Sequence, residues 1–167
     1  MNAESQTLLV AAYIDRLVAF HVQQQRWLSL EEMRQVSQEF GLSEGDITVA
    51  DCEGRRLREK GLVHCHYRQW DEAIVDLTVA VSVDPLSVEG LHGLARAYQG
   101  RWSTQRKPED LQESRRLSRR CLQIDPNHKA SVILLSQLRT ERKVLVSTGI
   151  IAAGIGVLLL LLSRFKG

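Results

Sequence analysis

The sequence predicts an all-α chain: an array of helical hairpins, with one membrane-spanning helix near the C-terminus. Three observations point there. The 167 residues are rich in Leu, Ala, Arg, Glu and Gln but hold only 3 prolines and 5% aromatics, which suits helices better than sandwiches or barrels. Two Asp-Pro pairs, Asp84-Pro85 and Asp125-Pro126, punctuate two segments with similarly spaced small residues. The stretch Val144–Leu162 is 19 residues long and carries no charge.

Residues 5–27 are predicted as a first helix, because Leu9, Ala12, Tyr13, Leu17, Phe20 and Val22 cluster at helical spacing. Ser29 followed by Glu32 is a capping box, and Leu30, Met33, Val36 and Phe40 make the apolar stripe of a second helix that Gly41 ends. Residues 1–42 are thus expected to form an N-terminal helical arm. Ser43 followed by Asp46 opens a third helix, with Ile47, Ala50, Gly54, Leu57, Gly61, His64 and Tyr67 along one face.

Residues 77–83, LTVAVSV, alternate and would by themselves suit a strand. The surrounding spacing argues for a helix instead. Aligning the Asp-Pro pairs brings out a helix–turn–helix unit of about 34 residues, the first from Gly54 to Ser87. Gly61 and Ala73 let its two helices approach closely, Ala80 lets the next helix dock, and Pro85 stops the second helix. Leu57 and Leu77 fill the large apolar positions. A second unit starts near Val88, with Leu91, Leu94, Ala95 and Tyr98 in its first helix. The stretch GRWSTQRKPED is then expected to be a turn about seven residues longer than the unit allows. Pro108 with Glu109-Asp110 starts the partner helix, which carries Leu111, Leu117, Cys121 and Leu122 and ends at Pro126. Ser114 and Ser118 stand where a small and a large apolar residue are expected. Asn127 is expected to cap a last helix carrying Ala130, Ile133, Leu134 and Leu138, which closes the array of 43–143.

These small–small–small–Pro spacings resemble the tetratricopeptide repeat family over roughly 54–143. The wider layout (helical arm, two repeats, closing helix, anchor, short basic tail) is similar to that of the mitochondrial fission protein family. The repeat resemblance implies a concave groove lined by the first helix of each unit. Its positions fall on Arg55, Arg58, Leu62, Cys65 and His66, and on Glu89, His92, Arg96, Gln99 and Gly100. Repeat packing would fall on Gly61, Ala73, Ala80, Pro85, Ala95, Tyr98 and Pro126. Such grooves take extended peptides or helices, so a protein partner is implied. Arg55, Arg58 and Arg96 would suit an acidic segment of it. The asparagines of the family's carboxylate clamp are absent: Leu62 and Gly93 stand at those positions.

Val144–Leu162 would span about 28 Å as a helix, close to the thickness of a bilayer's hydrocarbon core. Arg142-Lys143 precede it, and residues 163–167, with Arg164 and Lys166, form a short basic tail. The N-terminus has no basic region ahead of its apolar run, so it is not read as a signal peptide. A single-pass, tail-anchored protein with a cytosolic N-terminal domain is therefore expected. Residues 1–54 hold 9 acidic and 3 basic residues, while 55–143 hold 17 basic and 11 acidic. The basic half adjoins the apolar segment, as suits an anionic membrane surface. Gly149 with Ala153, and Ala152 with Gly156, space small residues four apart and allow close packing in a homodimer.

There is no P-loop, G-x-S-x-G, H-E-x-x-H or C-x-x-C. His64-Cys65-His66 looks metal-binding, but on a helix the three side chains diverge by about 100° each, so no metal is expected. Three free cysteines fit a reducing compartment. No catalytic constellation converges, no cofactor is implied and nucleic-acid binding is not expected. The leading expectation is a membrane-anchored adaptor that recruits a protein partner through its groove. The alternatives are a structural subunit of a membrane complex and a membrane-remodelling factor of the fission type.

Overall fold

The computed structural model describes residues 3–138, all helix and connection, with no strand among them. Six helices have both ends described: α1 (Ala3–Gln24), α2 (Leu30–Glu39), α3 (Glu44–His66), α4 (Trp70–Val83), α5 (Val88–Gln105) and α6 (Pro108–Ile124). A seventh, α7, starts at 129 and is described to 138. Among the described residues no helix is long and apolar enough to cross a membrane. The predicted anchor Val144–Leu162 and the tail 163–167 lie outside the described residues.

Local chemistry sets most of the helix starts. Ser29 caps α2 and Ser43 caps α3, each through a reciprocal bond with the residue three positions on, Glu32 and Asp46. Asp46 is almost fully buried, and it also accepts a bond from Gln6 Nε2 at 2.7 Å, which ties α1 to the start of α3. Ser87 Oγ accepts from the Gly90 N–H to cap α5, and Pro108 sits at the first position of α6. Helix ends are less conventional. Gly41 follows α2 at φ +64°, as a left-handed C-cap requires. Yet Gln25, Arg68 and Arg106 also have positive φ, just beyond α1, α3 and α5.

Packing is sequential. α3 and α4 form one antiparallel hairpin, α5 and α6 another, and α5 also docks against α4. The main core lies between them, with Leu77, Val81, Leu91, Leu94, Ala95, Leu117 and Cys121 all essentially inaccessible and Leu134 and Leu138 of α7 closing its end. The 77–83 segment is the second half of α4, and its alternating valines are split between this core and a second one. That second core joins Val10, Tyr13, Ile14 and Leu17 of α1 to Ala50 of α3 and Val83 of α4. α1 therefore packs across the α3–α4 hairpin, while α2 folds back on α1 with Phe40 edge-on to Tyr13.

Two sequence expectations need correction. GRWSTQRKPED is not one long turn, because α5 continues to Gln105. Trp102 explains why: it falls four residues after Tyr98, on the buried side, and only 5% of it is exposed. Asn127 does not cap the last helix. Its N–H donates to Asp125 Oδ1 in a turn, and His128 is the residue flanking the helix start. Ser114 and Ser118 are buried and satisfied, donating to the carbonyls of Ala95 (2.8 Å) and Ser114 (2.8 Å). A hydroxyl at these positions is thus compatible with close packing of α5 on α6.

Candidate functional site

A cleft of about 600 Å³ opens between α2 and the α3–α4–α5 junction. Its wall on the arm side is Tyr13, Leu30, Met33 and Arg34, and its opposite wall is Asp51, Gly54, Arg55 and Arg58. Pro85, Ser87 and Gly90 close the end. Leu30 is 59% exposed, so an apolar side chain stands open at the mouth. The cleft thus combines apolar surface with three guanidiniums and the carboxyls of Asp51 and Asp84. Burial raises the Asp51 carboxyl above its usual range; the Asp84 charge adds to this and Arg55 opposes it.

The groove residues expected from sequence divide into three groups. Arg55 and Arg58 line the cleft. Arg55 is exposed and makes no ion pair among the described residues, whereas Arg58 is engaged: its Nη1 donates to Ser87 Oγ at 3.2 Å and its Nε lies 3.2 Å from Glu89 Oε2. Glu89, itself an expected groove residue, therefore neutralises one of the three arginines counted on for an acidic partner. His66 and Arg96 are exposed, Gln99 is half-buried, and Gly100 is buried, where a Cβ would lie 2.6 Å from the Trp70 ring.

The third group faces neighbouring helices. Cys65 is 3% exposed and its thiol donates to the Gly93 carbonyl at 3.7 Å, so it lies in the α3–α5 seam and not on an open face. Burial also raises the Cys65 thiol, which keeps it protonated and unreactive. Leu62 packs into the space left by Gly93, where a Cβ would lie 2.6 Å from Leu62 Cδ2. His92 turns toward α7. Ser131 Oγ lies 3.2 Å from His92 Nδ1 and 2.8 Å from His128 Nδ1, and the two rings meet edge-on at 5.0 Å. With one proton, the hydroxyl donates to one ring and accepts from the other. Of the expected packing residues, Gly61, Ala73, Ala80, Pro85 and Ala95 are buried, Tyr98 is half-buried and Pro126 is exposed.

His92 is held down to about 4, chiefly by burial and then by the charges of His128 and Arg96. The unfolded chain takes up this proton near pH 6.5, the folded one near 4. Stability from neutral His92 is therefore complete above 6.5, declines between 6.5 and about 4, and changes no further below. Allowing for partial solvent exposure, we expect a loss of about 1–2 kcal/mol across that window. Urea midpoints of wild type and His92→Asn at pH 7 and 4.5 check this. Equal acid-induced shifts in the two proteins would remove His92 as the cause.

Another polar group links α3 to α4. His64 Nδ1 lies 2.6 Å from Gln69 Oε1, and its Nε2 and Lys60 Nζ lie 3.3 and 3.1 Å from Asp76 Oδ2. The group braces α3 against α4. Among the described residues no three His, Cys, Asp or Glu are placed to hold a metal ion. Tyr13, Met33, Arg34 and Asp51 are cleft residues that sequence reasoning missed. Three of them come from the arm, whose path across α3 and α4 no local spacing encodes.

Comparison of the chain with protein-family models, with curated proteins and with solved structures finds no significant match in any of the three.

Proposed function

We propose that the chain is a membrane-anchored adaptor of tetratricopeptide-like architecture that recruits a protein partner through the cleft beside α3. The observation that carries this reading is the cleft itself: about 600 Å³, open at Leu30 and edged by Arg34, Arg55 and Arg58. A segment with one apolar side chain and an adjacent carboxylate matches it, the apolar group against Leu30 and Met33 and the carboxylate against Arg55. The repeat reading is supported by the order of packing, α3 on α4, α4 on α5 and α5 on α6, with the small residues Gly61, Ala73, Ala80 and Ala95 buried at the helix crossings. Anchoring is assigned to Val144–Leu162 on its length and lack of charge.

The test is recovery of partners with the full chain, solubilised gently, as wild type and as Arg55→Glu, which reverses a charge lining the cleft. The Arg55 side chain is exposed and makes no ion pair among the described residues, so folding stability should change by less than about 0.5 kcal/mol. The Arg58–Glu89 pair stays in place. We expect the reversal to remove a specific co-purifying protein, with at least about a tenfold loss of binding. Full retention of every co-purifying protein would refute recruitment through this face.

A further inference from the structure

A second concavity, of about 370 Å³, lies where the α1–α2 connection meets α6. Its walls are Arg26, Trp27, Arg116, Arg119, Arg120 and Gln123. Two of the four arginines are neutralised. Arg26 donates to both carboxylate oxygens of Glu32 at 2.9 and 2.6 Å, and Arg116 pairs with Glu113 at 2.8 Å while donating to the Gln25 carbonyl at 3.2 Å. Arg119 and Arg120 are exposed and have no ion pair among the described residues. The pocket therefore carries a net charge of two guanidiniums. Beside it the Trp27 indole stacks on His21, with ring centroids 3.4 Å apart and planes nearly parallel, and among the described residues both Trp27 Nε1 and His21 Nδ1 are buried without a hydrogen-bond partner. His21 is held below the usual histidine range, first by burial and next by the Arg116 charge, in keeping with a positive field on this side.

We propose that this pocket binds a phosphate group. Guanidinium forks match the spacing of phosphate oxygens, and two uncompensated forks balance the charge of a phosphate monoester. The Gln123 amide supplies a neutral donor and the indole an apolar wall. The site is built by elements distant in sequence, since Trp27 and Arg120 meet only through the tertiary fold. It is separate from the cleft beside α3, so it stands or falls independently of the adaptor reading. The phosphate is either free or that of a lipid headgroup, the second being apt for a chain held at a membrane.

The experiment follows the Trp27 indole N–H resonance of the full chain in non-ionic micelles, identified by its loss in Trp27→Phe. Inorganic phosphate is titrated at constant ionic strength against chloride. In separate samples phosphatidic acid, or phosphatidylcholine at the same fraction, is mixed into the micelles. Expected is a saturable shift with phosphate, with half-saturation raised at least about tenfold in Arg119→Gln/Arg120→Gln. Both residues are exposed, so circular dichroism and melting of that variant should match wild type. Half-saturation at lower phosphatidic acid than free phosphate assigns the site to a headgroup; the reverse assigns it to a soluble phosphate. A shift with phosphate no larger than with chloride, or an unchanged titration in the double variant, would overturn the proposal.

Discussion

Leu77→Ala is expected to destabilise the helical array by about 4 kcal/mol, toward the upper end of the usual range for a buried leucine. Leu77 has no accessible surface and stands where α3, α4 and α5 meet. The helices on either side present glycine to it: a Cβ at Gly61 would lie 2.5 Å from Leu77 Cγ, and one at Gly93 would lie 3.4 Å from Leu77 Cδ1. Backbone, not flexible side chain, therefore forms much of its surroundings. A hole left there closes poorly, and the cost of a cavity grows with the volume that fails to collapse. The converse change tests the same contact. Gly61→Ala gains about 1 kcal/mol in helix propensity but forces Leu77 to move, which typically costs about 1–3 kcal/mol. In Gly61→Ala/Leu77→Ala the new methyl enters vacated space, so the double variant should be less destabilised than the sum of the singles by about 1 kcal/mol or more. Urea unfolding of the full chain measures all four proteins. Strict additivity, or a loss below about 1 kcal/mol for Leu77→Ala, would mean that the junction is looser than its geometry.

The same junction marks how far the sequence could be read. Gly61, Ala73, Ala80 and Ala95 were legible because small residues at fixed spacing are needed wherever two helices cross closely, and all four are buried. Helix starts were legible for the same local reason, since Ser29–Glu32 and Ser43–Asp46 encode caps within four residues. Helix ends were harder. α5 stops at Arg106, an arginine in the left-handed region with its guanidinium over the Trp102 ring at 4.7 Å, where a pattern reader looks for glycine. The end of α5 was therefore placed too early, and the apparent long turn is partly helix. The cleft was half legible. Arg55 and Arg58 follow from the groove positions that the repeat resemblance implies, but the arm wall, and the engagement of Arg58 by Glu89, depend on tertiary packing. Cys65 was misplaced because a position in the repeat does not say how far α5 overlaps α3.

Arg101→Ala is expected to cost about 3–5 kcal/mol, through the partner it leaves behind. Arg101 ties three helices together. Its Nε and Nη2 donate to Asp110 of α6 at 2.8 and 2.6 Å, and its Nη1 donates to Asp71 of α4 at 2.9 Å. The two carboxylates are not equivalent. The Asp71 side chain is 60% exposed and Asp110 only 1%. Losing the contact to Asp71 should matter little, because water replaces the arginine there. Asp110 has no such recourse, and without Arg101 a carboxylate remains buried with no opposite charge. This makes the double variant the decisive comparison. Arg101→Ala/Asp110→Ala removes both charges and should be more stable than Arg101→Ala alone, even though it deletes more atoms. Arg101→Lys keeps the charge but not the fork and should fall between wild type and alanine. Urea unfolding of these variants is the measurement. If Arg101→Ala lost less than about 1 kcal/mol, the level of an exposed pair, then water reaches Asp110 and the pair is a surface contact in energetic terms. If the double variant were the less stable, the stabilisation would lie in the side-chain packing of Arg101 along Tyr98, whose ring centroid is 5.4 Å from the guanidinium carbon, and not in the buried charge.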